Sequence, residues 1–322
     1  MADIKKIAIL TSGGDAPGMN AAIRAVLRSA LYHGLEVYGV VDGYYGLCNG
    51  NIVKMERASV TNIMNRGGTI LGTARLPEFK EDEVAQKGVD NLRRLGIDAL
   101  VAIGGDGTYR GALKLTKMGI NCISVPGTID NDIPSSEYTI GFDTAVNTAV
   151  DCIDKLRDTC NSHRRCSVIE VMGRRCGDIA YAAGVAAGAD VIITSEVPYD
   201  EARLIKFVKS AKNADRHHLL IVITEKVTDV TALAKKLKEE TGFDCRATIL
   251  GHIQRGGNPT PFDRVLATRL GDAAVEKILA VESGVCVGIL NNEVITTPIE
   301  KSFEMKKNVL LKYAIDLNNH VR

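Results

Sequence analysis

Short runs of aliphatic and β-branched residues return along the chain, separated by longer stretches with helical period, and this alternation limits the fold more than any other feature. Residues 7–10, 99–103, 122–125, 168–171, 191–193, 219–224 and 247–250 are short, largely apolar runs that read as buried strands. Helical stretches follow most of them. Met19, Ala22, Ile23, Val26, Leu27, Ala30 and Leu31 recur at three and four, with Gly34 as a stop and Arg24 and Arg28 off the stripe. Val146, Ala149, Val150, Ile153, Leu156 and Cys160 form a second stripe, with Arg157 beside it. Strand and helix in alternation predict an α/β fold of parallel sheets flanked by helices. A chain of 322 residues suggests two domains. The best break lies near Gly141, after a polar loop at 126–134, and a cleft between two such lobes is a common ligand site.

Charge narrows the partners. Forty Lys and Arg against 39 Asp and Glu give no broad basic field to gather nucleic acid or an anionic membrane. Any anion recognition must be local. No apolar stretch approaches the roughly 20 residues that span a bilayer, so cytoplasmic residence is the expectation. The eight cysteines include no Cys-x-x-Cys pair and read as reduced thiols. Cys160, His163 and Cys166 have an unconventional spacing for zinc.

In open parallel sheets, anions collect where strands turn into helix N-termini with free N–H groups. Two glycine-rich turns stand there: Thr11-Ser12-Gly13-Gly14-Asp15-Ala16-Pro17-Gly18-Met19-Asn20 and Gly104-Gly105-Asp106-Gly107-Thr108. Glycine lets the backbone approach phosphate oxygens, and Asp106 is the candidate Mg²⁺ ligand. A strand-to-helix turn can also use glycine and an aspartate cap for structural reasons alone. Neither loop fits a Walker or a Rossmann pattern, so a kinase built on them would rely on Mg²⁺, arginines and helix N-termini. A third loop, Pro126-Gly127-Thr128-Ile129-Asp130-Asn131-Asp132, places two carboxylates two residues apart, able to divide base and metal duties. Asn and Asp favour turns as well. Arg75, Arg165, Arg174, Arg246, His252 and Arg255 lie near strand ends, where an anionic sugar phosphate would fit.

These three loops, with Val171-Met172-Gly173-Arg174 and Gly251-His252-Ile253-Gln254-Arg255-Gly256-Gly257, resemble the bacterial ATP-dependent 6-phosphofructokinases in order and spacing over nearly the whole chain. Gly-Gly-Asp-Gly-Thr alone occurs in other kinases, which explains one motif of five. The resemblance implies a homotetramer of two-lobed subunits, each lobe a mainly parallel sheet flanked by helices. Residues 1–140 with 253–303 would bind ATP, and 141–252 with 304–322 the sugar phosphate. Gly14, Arg75, Leu76, Gly105, Asp106, Gly107 and Thr108 would line the ATP and Mg²⁺ site, with Asp132 supporting the metal. Asp130 would be the base, and Thr128, Arg75 and Arg174 would stabilise the transferring group. Met172, Gly173, Glu225, His252 and Arg255 would hold fructose 6-phosphate, with Arg165 and Arg246 reaching its 6-phosphate from a neighbouring subunit.

Pyrophosphate-using relatives are the nearest alternative and a non-catalytic nucleotide sensor a more distant one; glycine at both 107 and 127 leaves room for a nucleotide and favours ATP. The family's effector site, for ADP or phosphoenolpyruvate, is matched at Arg24, Arg28, Arg57, Arg157, Arg216 and His218. It departs at Ala58, where an aromatic is usual, at Asp190 in place of glutamate, and at Asn213–His217 in place of a lysine-rich stretch. Weak or altered effector responses are the expectation.

Overall fold

The computed structural model describes residues 4–307. The expectation for 308–322 therefore lies outside the described residues. Strands β1 (Lys6–Ser12), β2 (Glu36–Val40), β3 (Ile52–Met55), β4 (Ala99–Gly104), β5 (Asn121–Pro126), β6 (Arg165–Val171), β7 (Val191–Ile193), β8 (Leu219–Thr224), β9 (Asp244–Ile249), β10 (Val285–Leu290) and β11 (Glu293–Pro298) form two sheets. Helices α1 (Met19–Tyr32), α2 (Gly43–Asn49), α3 (Asp82–Arg94), α4 (Asp106–Lys117), α5 (Phe142–His163), α6 (Asp178–Ala186), α7 (Glu201–Asn213), α8 (Val230–Thr241), α9 (Pro261–Leu279) and a short α10 (Ile299–Ser302) connect them.

The chain divides into two compact units. The first runs to Thr144 and resumes at Arg255; the second is Ala145–Gln254. In the first, a seven-stranded sheet has the order β11-β10-β5-β4-β1-β2-β3. Its middle is parallel, and β3 and β11 close the edges antiparallel. Asn291 and Asn292, with φ of 50° and 63°, make the two-residue turn between β10 and β11, a conformation asparagine tolerates. Every residue of β4 is buried, and Leu10, Leu47, Leu100 and Tyr109 share one core. Truncating Leu100 to alanine would cost about 2–5 kcal/mol.

The second unit holds a parallel four-stranded sheet, β7-β8-β6-β9. Its core joins Val168, Ile221, Val208, Leu237 and Phe243. β8 is buried throughout. β9 corrects the expectation of a buried strand at 247–250: it begins at Asp244 and forms the sheet's edge, with Arg246 exposed and Ile249 57% exposed. An edge strand needs apolar residues on only one face. α8 starts under Asp229, whose carboxylate accepts from the N–H groups of Thr231 and Ala232, and stops at Gly242 with φ of 70°.

Candidate active site

Three loops leave the first sheet side by side. Ser12 pairs with Gly104 and Gly104 with Pro126, so the ends of β1, β4 and β5 are level and about 4.8 Å apart. Thr108 Oγ1 donates to the Ser12 carbonyl at 3.0 Å, fastening the first turn of α4 to the neighbouring loop. A Cβ on Gly104 would stand 2.4 Å from that same carbonyl, so no side chain fits. Beneath α4, the Tyr44 hydroxyl donates to the Thr108 carbonyl at 2.6 Å while its ring stacks on Phe79 at 4.2 Å.

The third loop is the most firmly held. Thr128 N donates to the Ile140 carbonyl at 3.1 Å, and Ile140 N donates back to the Pro126 carbonyl at 3.0 Å. Thr139 Oγ1 donates to the Thr128 carbonyl at 2.6 Å, and Thr139 N to Asn131 Oδ1 at 2.9 Å. Thr128 and Asp130 are buried, Asp132 half-buried. Asp106, half-buried at the start of α4, receives both Nε and Nη2 of Arg110.

The donor chemistry suits Mg²⁺. Among the described residues no group of three or more His, Cys, Asp or Glu forms a metal cage. Two carboxylates, Asp106 and Asp132, stand on adjacent strand-end loops, and Mg²⁺ commonly takes one or two carboxylates plus phosphate oxygens and water.

The two glycines expected to leave room for ATP differ. A Cβ on Gly107 meets nothing within 4 Å. On Gly127 it would lie 3.1 Å from Ile103 Cγ2 and 3.3 Å from Met19 Cε, so that glycine serves internal packing. A Cβ on Gly14 would meet Arg255 Nη1 at 2.4 Å, and Nη1 donates to the Asp15 carbonyl at 3.0 Å. Arg255 thus lies against the first glycine loop. Arg75 is exposed in the segment before Leu76 and the 3₁₀ turn Pro77–Lys80.

In the second unit, Met172, Gly173 and Arg174 follow the end of β6 in a tight turn, with φ of 142° at Gly173 and 59° at Arg174. Two side chains pin that turn: Gln254 Oε1 accepts from Met172 N at 2.9 Å, and Glu225 Oε1 from Arg174 N at 2.8 Å. His252 is exposed on the 3₁₀ turn Gly251–Arg255. Arg165 occupies the opposite end of β6. Its Nε donates to Asp244 Oδ2 at 2.7 Å, and Arg246 Nη2 approaches the same oxygen at 3.5 Å. The hydrogen bond from Lys238, joined by those two arginines, holds the Asp244 carboxyl down at about 2.

The expected effector residues fall into two groups. Arg24 and Arg28 stand one turn apart on α1; burial, then the charges of Arg28 and Arg57, hold the Arg24 guanidinium below its ordinary value. Asp190 is buried and already bonded, accepting from Arg216 Nη2 at 2.6 Å and Leu220 N at 2.9 Å. Arg157 has Asp154 at 3.9 Å, and His218 is half-buried.

Sequence reasoning missed Gln254, although it lies inside a quoted motif, and missed Tyr44, Thr139 and Ile140, which no local signal marks.

A family model described as phosphofructokinase matches residues 6–278. The ATP-dependent 6-phosphofructokinase of Vibrio campbellii is 53% identical over 304 residues, 94% of this chain and 95% of that protein. That of Photobacterium profundum is 52% identical over 98% of both chains. Among solved structures, phosphofructokinase from Saccharomyces cerevisiae superposes with a TM-score of 0.86 at 36% identity, covering 93% of this chain and 45% of the yeast chain. A pyrophosphate-dependent phosphofructokinase from Marinobacter aquaeolei, 23% identical over 96% of this chain and 86% of its own, shares the fold with a TM-score of 0.85.

Proposed function

Because the chain belongs to the phosphofructokinase family and acts as an ATP-dependent 6-phosphofructokinase, we propose that it moves the γ-phosphoryl group of ATP to the C1 hydroxyl of fructose 6-phosphate with the following division of residues. Asp130 takes the hydroxyl proton. The observation that carries this assignment is the level exit of three loops, which sets a buried carboxylate on a pinned loop beside two glycine turns at helix N-termini. Gly14, Arg75, Leu76, Gly105, Asp106, Gly107 and Thr108 receive ATP, and the open space over Gly107 supports a nucleotide as donor. Mg²⁺, held by Asp106 and Asp132, would neutralise charge on the transferring group. Thr128, Arg75 and Arg174 stabilise that charge as it develops.

On the acceptor side, Met172, Gly173, Glu225, His252 and Arg255 hold the sugar. Arg165 and Arg246 bind the 6-phosphate of a neighbouring subunit's substrate. Within one chain Arg165 begins β6 and Met172 follows its last residue, a run of roughly 20 Å. One sugar phosphate cannot span it. This separation supports an oligomer, proposed as a homotetramer, whose neighbouring copy supplies the arginines. Free cysteines at all eight positions, and the lack among the described residues of any helix long and apolar enough to cross a membrane, are in keeping with a cytoplasmic enzyme. ADP or phosphoenolpyruvate would bind at Arg24, Arg28 and Arg57 with Arg157, Arg216 and His218. Asp190, committed to Arg216, is poorly placed to serve an effector's metal.

The test is Asp130→Ser assayed with Mg-ATP and fructose 6-phosphate. Loss of a general base predicts kcat lower by about 10²–10⁴ with a smaller change in KM. An unchanged kcat removes Asp130 from the role.

A further inference from the structure

We propose that Asp263 is a positioning residue for the phosphoryl transfer, its buried carboxylate fixing the 138–141 segment on which the loop bearing Asp130 is hung. Asp263 lies in the first turn of α9 and is wholly inaccessible. Its Oδ1 accepts from Gly141 N at 2.9 Å; its Oδ2 accepts from Thr144 N at 2.8 Å and Thr144 Oγ1 at 2.5 Å. A carboxylate from one helix thereby caps the N-terminus of another, α5, where the helix dipole favours negative charge.

Gly141 needs that anchor. It has φ of 104°, and a Cβ there would stand 2.7 Å from Ala16 Cβ, so no side chain can hold the segment at this point. One residue earlier, Ile140 brackets the catalytic loop through Thr128 N and the Pro126 carbonyl, and Thr139 bonds the Thr128 carbonyl and Asn131. Displacing Gly141 therefore moves the residues that set Asp130, although Asp263 touches none of the reacting atoms. Thr260 fastens the other side, donating from N to Thr144 Oγ1 at 3.0 Å and from Oγ1 to Asp143 Oδ2 at 2.6 Å. Burial pushes the Asp263 carboxyl up to about 6, opposed by the bonds from Thr144 and Gly141 and aided by the nearby charge of Asp143. An ionised carboxylate is kept there only by that set of donors.

The inference rests on Asp130 being the base, and a double-mutant cycle separates the two ideas. Asp263→Asn keeps the shape but puts an NH₂ where one acceptor stood. In the full-length enzyme we expect kcat to fall about tenfold or more, as for a misplaced reacting group, with both KM values within about threefold. On an Asp130→Ser background the same change should cost nothing further, because the base it positions is gone. A kcat within twofold of the parent, or a loss that multiplies with Asp130→Ser, overturns the proposal. If Asp130→Ser by itself keeps full kcat, the base assignment fails instead. Should Asp263→Asn not fold, Thr139→Val removes only the bond to the Thr128 carbonyl and must show the same kcat loss and the same non-additivity; additive behaviour there refutes the relay.

Discussion

Replacing Gly111 by alanine sets two effects of opposite sign against each other. Gly111 lies within α4, and in a helix interior alanine is favoured over glycine by about 1 kcal/mol. Propensity alone predicts a stabilised variant. The structure predicts the reverse, because the new Cβ would stand 2.4 Å from Tyr44 Cζ, 2.5 Å from Cε2 and 2.7 Å from the hydroxyl. That ring cannot swing aside freely: it is buried, stacked on Phe79 at 4.2 Å, and tied by its hydroxyl to the Thr108 carbonyl. Overpacking costs about 1–3 kcal/mol, and stranding the buried hydroxyl adds about 1–3 kcal/mol. Subtracting the propensity gain leaves a net loss of about 1–5 kcal/mol. Urea unfolding followed by far-ultraviolet circular dichroism measures it. The displaced ring also disturbs the turn carrying Asp106 and Thr108, so KM for ATP should rise about fivefold, the factor equivalent to roughly 1 kcal/mol, while KM for fructose 6-phosphate holds. A variant as stable as its parent, or more so, would show that Tyr44 is not the rigid floor described here.

Gly107→Asp fills open space, so unfolding should stay within about 0.5 kcal/mol of the parent while KM for ATP rises at least about tenfold; unchanged ATP kinetics would mean the nucleotide does not pass over Gly107. Asp244→Asn tests the ion cluster by pH: a carboxyl held down at about 2 stabilises the fold fully above its ordinary value near 3.9 and loses that stabilisation as pH falls through about 2. The stability gap between parent and variant should therefore be constant from pH 7 to about 5 and close towards pH 2, and a gap that persists there contradicts the cluster. Velocity against fructose 6-phosphate should change little on adding ADP; sigmoidal curves strongly relieved by ADP would overturn the reading of Ala58 and Asp190.

The central strands β1, β4, β5 and β8 were legible because burial on both faces leaves a largely apolar run. β4 and β8 have no exposed residue, and both were readable from composition alone. β2 and β3 were not, since Glu36, Tyr38, Val53 and Lys54 are only half-buried or exposed and interrupt any such run. β11 is the edge strand of its hairpin with β10 and has Thr297 alone buried, which hides it, whereas β10 is buried over four residues and carries an apolar run that was legible but not singled out.

At the site, residue type announced which chemistry is available, and packing decided which members of a motif can perform it. Gly107 and Gly127 carry the same sequence signal, yet one faces open space and the other Ile103 and Met19. Asp190 sits where an effector ligand was expected, and its two oxygens already accept from Arg216 and Leu220 N. The starts of β6 and β9 show the same limit most sharply. Arg165, Asp244 and Arg246 looked like the polar margin of two strands because charge breaks an apolar run. In the structure the strands continue through them, since Arg165 pairs with Asp244 across the ladder and each satisfies the other's charge. Those extra strand residues carry Arg165 to the far end of the sheet from Arg174. That spacing along β6 is what the proposal of a neighbouring subunit's substrate for Arg165 and Arg246 needs.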